Sequence, residues 1–150
     1  MVQIRKILVC IQFNESCKTV VPYACAVAER FGAELHVLHV LEASPEPDVA
    51  VLPPDEASFA SGGEDLVLAG IIPPKWEERL ICRRVVTFGV PWIEITRYAW
   101  QHDIDVIVVG ASRHSVLSRW LRGSVTDQVV HHAPCPIFVI SPTERRFPLV

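Results

Sequence analysis

Two glycines and a serine in the C-terminal half of the chain have the types and spacing of a phosphate-binding loop. Gly110 follows a short apolar run, and Gly123 stands immediately before Ser124, where a helix is predicted to begin. A helix N-terminus presents unpaired backbone N–H groups and a partial positive charge, both of which favour a bound phosphate. Gly123 allows close backbone approach, and the Ser124 hydroxyl can donate to a phosphate oxygen. Taken alone, Gly110 is more typical of a turn after a strand, and Gly123–Ser124 of a helix N-cap, than of a phosphate site.

Three arginines, Arg113, Arg119 and Arg122, lie between those glycines. A guanidinium group recognises phosphate through paired N–H donors, so these side chains are candidate phosphate ligands. The alternative interpretation is a solvated polar face without a ligand.

Ser112 and His114 are the candidate nucleophile and base of the same loop, but the sequence does not support a hydrolytic site. No carboxylate occurs between Ala111 and Val125 that could orient His114, and a serine–histidine pair needs such a partner. Asp127 stands in the first turn of the predicted helix, where its negative charge interacts favourably with the helix dipole. We predict no catalytic residues and at most weak, incidental nucleotide hydrolysis.

The histidines and cysteines do not form a metal-binding pattern. His131 and His132 are adjacent and point in different directions on a helix, while His36 and His39 lie on opposite faces of a strand. The 5 cysteines are an odd number without a CxxC pair, which is typical of reduced thiols rather than a disulfide framework. We predict no metal ligands among the protein side chains.

Composition and charge indicate a compact cytoplasmic protein. The chain is 50% hydrophobic with a formal net charge of -3, which supports one core over residues 1–150 and no nucleic-acid or membrane-surface partner. The polar start, Met1 to Lys6, precedes only 5 apolar residues, far short of a signal-peptide core or a span of about 20 residues.

Short apolar runs alternate with segments of helical periodicity, and these elements must position the loop. The predicted strands are Lys6–Gln12, Glu34–Leu41, Leu80–Phe88, Asp105–Val109 and Pro136–Ile140. The predicted helices are Cys17–Phe31, Pro91–His102 and Ser124–His132. Such alternation indicates a doubly wound α/β fold, with a five-stranded, mostly parallel sheet and helices on both faces. Ligands of such sheets bind where the strand order reverses, so the loops after strands one and four are the candidates.

Residues 42–79 interrupt this alternation. Several prolines and the pair Gly62–Gly63 lie in this segment, which rules out a long regular helix. We expect a shortened second crossover helix, with at most a short helical piece within Gly63–Gly70.

The loop also resembles the signature of the universal stress protein family. That signature is a glycine, two residues, a glycine, nine residues, then a glycine and a serine or threonine. Gly110, Gly123 and Ser124 match it, while Arg113 replaces the second glycine. The segments KILV, LHV, VTFGVP, DVIVVGAS and GSVTDQVVHHAPCPIFVI resemble the family in the same order. Only residues 42–79 do not.

This resemblance implies a Rossmann-like fold of the adenine nucleotide alpha hydrolase type, with ATP or AMP, and Mg²⁺ beside it, across strands one and four. The implied nucleotide-binding residues are Cys10, Gln12, Val40, Gly110, Arg113, Gly123, Ser124 and Val125. Adenine is expected near Val40, and ribose near Cys10 and Gly110. Gln12 takes the place of an aspartate that nucleotide-binding members carry.

Two functions remain open at this point. In the first, the protein is a nucleotide-responsive stress regulator, and the Arg113 guanidinium binds a phosphate through paired N–H donors. In the second, the protein is an interaction module that binds no nucleotide, and the Arg113 side chain fills the phosphate pocket. In both cases the resemblance implies a homodimer through the strand Pro136–Ile140, whose apolar edge needs a cover. The protein partner of either form is not identified by the sequence.

Overall fold

A computed structural model of the protein describes residues 1–12, 17–42, 68–110 and 125–141. Three of the predicted nucleotide-binding residues, Arg113, Gly123 and Ser124, lie outside the described residues. Most of the irregular segment 42–79 also lies outside them.

Five strands form one sheet in the order β3-β2-β1-β4-β5. Their bounds are β1, Lys6–Ile11; β2, Glu34–Leu41; β3, Cys82–Phe88; β4, Val106–Gly110; and β5, Ile137–Ile140. Every neighbouring pair is parallel, so the sheet is entirely rather than mostly parallel. The predicted α/β class is confirmed.

The described ranges contain four helices: α1, Cys17–Phe31; α2, Pro74–Glu77; α3, Pro91–Gln101; and α4, Val125–His132. The sequence did not predict α2, a single turn whose Trp76 is buried and donates from Nε1 to Glu29 at 3.2 Å. No helix within these ranges is long and apolar enough to cross a membrane.

The start of β3 differs from its prediction because α2 precedes it. The amide of Leu80 donates to the carbonyl of Trp76 over 2.9 Å, so Leu80 belongs to the turn that closes α2. The strand therefore begins at Cys82. The other element boundaries in the described ranges lie within one residue of their predictions.

Hydrophobic side chains cover both faces of the sheet. Along β1, Val9 and Ile11 belong to the cluster on the α1 side. Leu8 and Cys10 border the cluster that α3 and α4 cover. This alternation follows from the two-residue period of a strand, and burial on both faces is typical of parallel sheets.

The order of the strands reverses between β1 and β4. From β1 the chain adds β2 and β3 on one side, then crosses back to place β4 and β5 on the other. In open parallel sheets the ligand crevice lies beyond the carboxyl ends of the strands at such a reversal. The last residues of these two strands are Ile11 and Gly110. The predicted loop after Gly110 therefore begins at this crevice.

Candidate functional site

Five of the eight predicted nucleotide-binding residues are described, and all five lie at the carboxyl edge of the sheet. They are Cys10 and Gln12 at the end of β1, Val40 near the end of β2, Gly110 at the end of β4 and Val125 at the start of α4. Parallel strands bring their carboxyl ends to one edge, which is why residues so far apart in sequence meet here. Their roles towards a ligand remain predictions.

The side chains of Cys10, Val40 and Val125 border one face of that edge. All three pack, partly buried, against the cluster under α3 and α4. Gln12 follows β1 and is exposed. The described part of the candidate site thus combines a partly apolar wall with the neutral amide of Gln12, which can both donate and accept hydrogen bonds.

Thr126 connects the two ends of the predicted phosphate loop. Its hydroxyl Oγ1 donates to the carbonyl oxygen of Gly110 over 3.3 Å. This bond ties the first turn of α4 to the last residue of β4. The start of the helix that the sequence predicted as a phosphate site therefore adjoins the end of the switch-point strand.

Other strand-end carbonyls also have donors. Nδ1 of His39 lies 2.9 Å from the carbonyl oxygen of Ile11, and the thiol of Cys17 donates to the carbonyl of Gln12. The amide of Gly89 donates to Leu41 over 3.0 Å. A carbonyl oxygen carries partial negative charge, so these bonds reduce the negative potential that the edge presents to an anion.

The thiol of Cys10, one of the predicted site residues, is not poised for chemistry. Burial raises the pKa of the Cys10 thiol far above its ordinary value, and the neighbouring Cys135 adds to the shift. A thiol that stays neutral is a poor nucleophile. Cys10 therefore contributes packing and backbone groups rather than reactivity.

Among the residues that the structure describes, His36 has the most deeply buried polar side chain, and it lies on β2 away from the crevice. Its Nδ1 is 2.6 Å from the hydroxyl of Tyr98 on α3. Its Nε2 is 3.0 Å from Oε1 of Glu34, without hydrogen-bond geometry. Burial lowers the pKa of His36, and the Glu34 carboxylate opposes that shift only in part. This group belongs to the packing of α3 on the sheet.

Within the described ranges, no three histidine, cysteine, aspartate or glutamate side chains are grouped so that they could hold a metal ion. His36 and His39 are three residues apart on β2 and so lie on opposite faces, as predicted; His36 contacts Tyr98 on the α3 side, and Val37, two residues before His39, belongs to the cluster on the α1 side.

Sequence reasoning missed the role of His39 at this edge. The sequence analysis considered His39 only in excluding a metal site of histidines, whereas its ring contacts the last carbonyl of β1. The available signal was its place immediately before Val40, near the end of a predicted strand. That signal does not identify a partner 28 residues away.

Comparisons with known proteins match the fold described above. The model of the universal stress protein family matches residues 3–141. A universal stress protein of Methanocaldococcus jannaschii is 28% identical over 131 residues, covering 82% of this chain and 74% of that protein. The structure of universal stress protein UspA from Lactobacillus plantarum superposes with a TM-score of 0.69 at 27% identity, over 93% of this chain and 99% of that one.

A further structure is that of a universal stress protein from Archaeoglobus fulgidus in complex with dAMP. It superposes with a TM-score of 0.60 at 20% identity, over 93% of this chain and 99% of that one. A likeness at this level of identity shows the shared fold.

Proposed function

This chain belongs to the universal stress protein family, and from that membership we propose that it is a nucleotide-responsive regulatory protein of the stress response. ATP or AMP binds across the carboxyl ends of β1 and β4. The observation that carries this proposal is the reversal of strand order between those strands, because Gln12 and Gly110 stand on its two sides.

In the proposed complex, the base lies against the backbone at Val40 and the ribose lies near Cys10 and Gly110. The phosphates lie in the loop that Gly110 begins and Val125 ends. The loop residues proposed to hold them are Arg113, Gly123 and Ser124. Mg²⁺ accompanies the nucleotide through its phosphate oxygens.

At the base and ribose end, the described residues support the proposal of an adenine nucleotide. Backbone contacts at Val40 and Gly110 do not depend on side-chain identity, so the departures from the family signature leave them available. The amide of Gln12 can pair with a ribose hydroxyl, although it lacks the charge of an aspartate. The dAMP bound by the Archaeoglobus fulgidus protein supports an adenine nucleotide as the ligand class.

The second candidate function is a dimeric interaction module that binds no nucleotide. It is favoured by the two departures from the family signature, Gln12 for the aspartate and Arg113 for the second glycine. A side chain at a glycine position fills space that a phosphate would otherwise take. The two functions therefore make opposite predictions for Arg113.

In either form we propose a cytoplasmic homodimer without catalytic residues. β5 is one of the two outer strands of the sheet, and its Phe138 and Val139 are 40% and 48% exposed. An apolar outer edge invites pairing with another strand. A second copy, related by a two-fold axis and antiparallel at β5, would cover it.

Calorimetric titration of ATP and AMP into ligand-stripped protein tests the nucleotide proposal. The titration is run with and without Mg²⁺, beside an Arg113→Gly variant. We expect saturable binding by the native protein that weakens in the variant, because the guanidinium contacts a phosphate. No native binding, with binding gained in Arg113→Gly, would instead identify the interaction module.

A further inference from the structure

His39 stands at the point where β1 leaves the sheet. The last residue pair between β1 and β2 is Ile11 with His39. Beyond it, Val40 and Leu41 pair only with β3, opposite Thr87 and Phe88. The end of a ladder lacks a following backbone hydrogen bond, so the separation of β1 and β2 depends there on other contacts.

The side chain of His39 supplies such a contact. Its Nδ1 lies 2.9 Å from the carbonyl oxygen of Ile11, in a buried position. A carbonyl oxygen only accepts hydrogen bonds, so Nδ1 must carry the proton and act as the donor. The geometry therefore assigns a protonated Nδ1 to His39.

The direction of the side chain rules out direct contact with a ligand on the other face. Side chains alternate along a strand, so His39 shares the α1 side with Val37, whereas Val40 borders the α3 and α4 cluster. Any influence of His39 on a ligand at Val40 passes through the backbone.

We propose that His39 is a positioning residue of the nucleotide site, and this inference rests on the function proposed above. His39 immediately precedes Val40, the proposed base contact, and Ile11 immediately precedes Gln12, the proposed ribose contact. The bond between His39 and Ile11 therefore fixes the distance between the two strand ends that hold the nucleoside. Without it, the ends separate more freely and the site is less preorganised.

The test compares three variants by calorimetric titration with ATP at a temperature well below unfolding. His39→Leu removes the donor, His39→Asn places an amide N–H close to the position of Nδ1, and Val37→Ala is a matched control on the same strand and face. We expect the Kd of His39→Leu to rise at least about ten-fold, since it loses a preorganised contact. The Kd of His39→Asn should stay within about three-fold of native, because its donor remains.

The control separates positioning from stability. Val37 is fully buried, so Val37→Ala should lower the thermal midpoint while leaving the Kd within about two-fold of native. Equal Kd values for native protein and His39→Leu would overturn the positioning role and leave the proposed function standing. No binding of ATP or AMP by the native protein would overturn the proposed function and this role together.

A second measurement needs no variant. Nitrogen-15 chemical shifts of the His39 ring in the native protein report which nitrogen carries a proton. A protonated Nδ1, retained when ATP is added, is expected. An unprotonated Nδ1 contradicts the bond to Ile11 and overturns the proposal even if His39→Leu does not fold.

Discussion

His36 shows how one buried side chain couples stability to pH. Its ring is 1% exposed and contacts Tyr98 and Glu34, with Arg83 and His102 also acting on its charge. Burial disfavours the imidazolium, so the pKa of His36 lies below its ordinary value in the folded protein. In the unfolded chain the same ring titrates near its usual pKa of about 6.5.

We predict that the free energy of unfolding falls as the pH is lowered below about 6.5, since the unfolded chain then binds a proton that folded His36 excludes. The contribution of one such group is at most about 1.4 kcal/mol per pH unit, and it ends once the pH passes the folded pKa. Urea denaturation from pH 7 to pH 5 measures it.

The contribution of His36 is isolated by comparison with variants. His36→Gln should show a shallower fall, because its side chain does not titrate. His131→Gln should leave the curve nearly unchanged, because the pair of His131 with Asp127, 3.7 Å apart on α4, is exposed to solvent and contributes little. Identical pH profiles for native protein and His36→Gln would contradict the assignment.

Gly89 lies in the turn that connects β3 to α3. Its φ of 147° lies in a region that favours glycine, and a Cβ there would approach Cγ and Oε1 of Glu94 to 3.0 Å. Its amide also donates to Leu41 at the end of β2. The turn therefore needs glycine for two reasons: the φ angle at this position, and the lack of room for a Cβ beside the Glu94 side chain.

We predict that Gly89→Ala lowers the free energy of unfolding by about 1–3 kcal/mol, because the substituted backbone is strained and Glu94 must move. Chemical denaturation measures the loss. The double variant Gly89→Ala with Glu94→Ala should recover only part of it, since the φ strain remains. Full recovery would show that the contact with Glu94 is the whole cause.

At the scale of the whole molecule, the exposed apolar edge at β5 argues for a second copy. Light scattering should find a dimer at micromolar concentration, and Val139→Lys should convert it to a monomer by placing a charge in the paired edge. Ile81→Lys is the matched control, because Ile81 is 73% exposed but precedes β3, the opposite outer strand. A native monomer would contradict the proposed interface.

The element boundaries were largely predictable because their signals are local. Helix α1 ends at Phe31 as predicted, and the next residue, Gly32, has a φ of 63°. Strand β2 also has its predicted bounds. Apolar periodicity and glycine mark such elements within a few residues. The predicted start of β3 was wrong because the Leu80 amide donates to the carbonyl of Trp76 in α2, a helix that the sequence did not predict.

The sequence by itself determined the class of the fold, the order of its elements and the edge of the sheet where a ligand is expected, since these follow from local patterning and from the rules of parallel sheets. Only the tertiary structure decided the pairing of Ile11 with His39 and of His36 with Tyr98. These contacts join residues far apart in sequence. They exist only once strand register and helix packing have brought those residues within hydrogen-bonding distance.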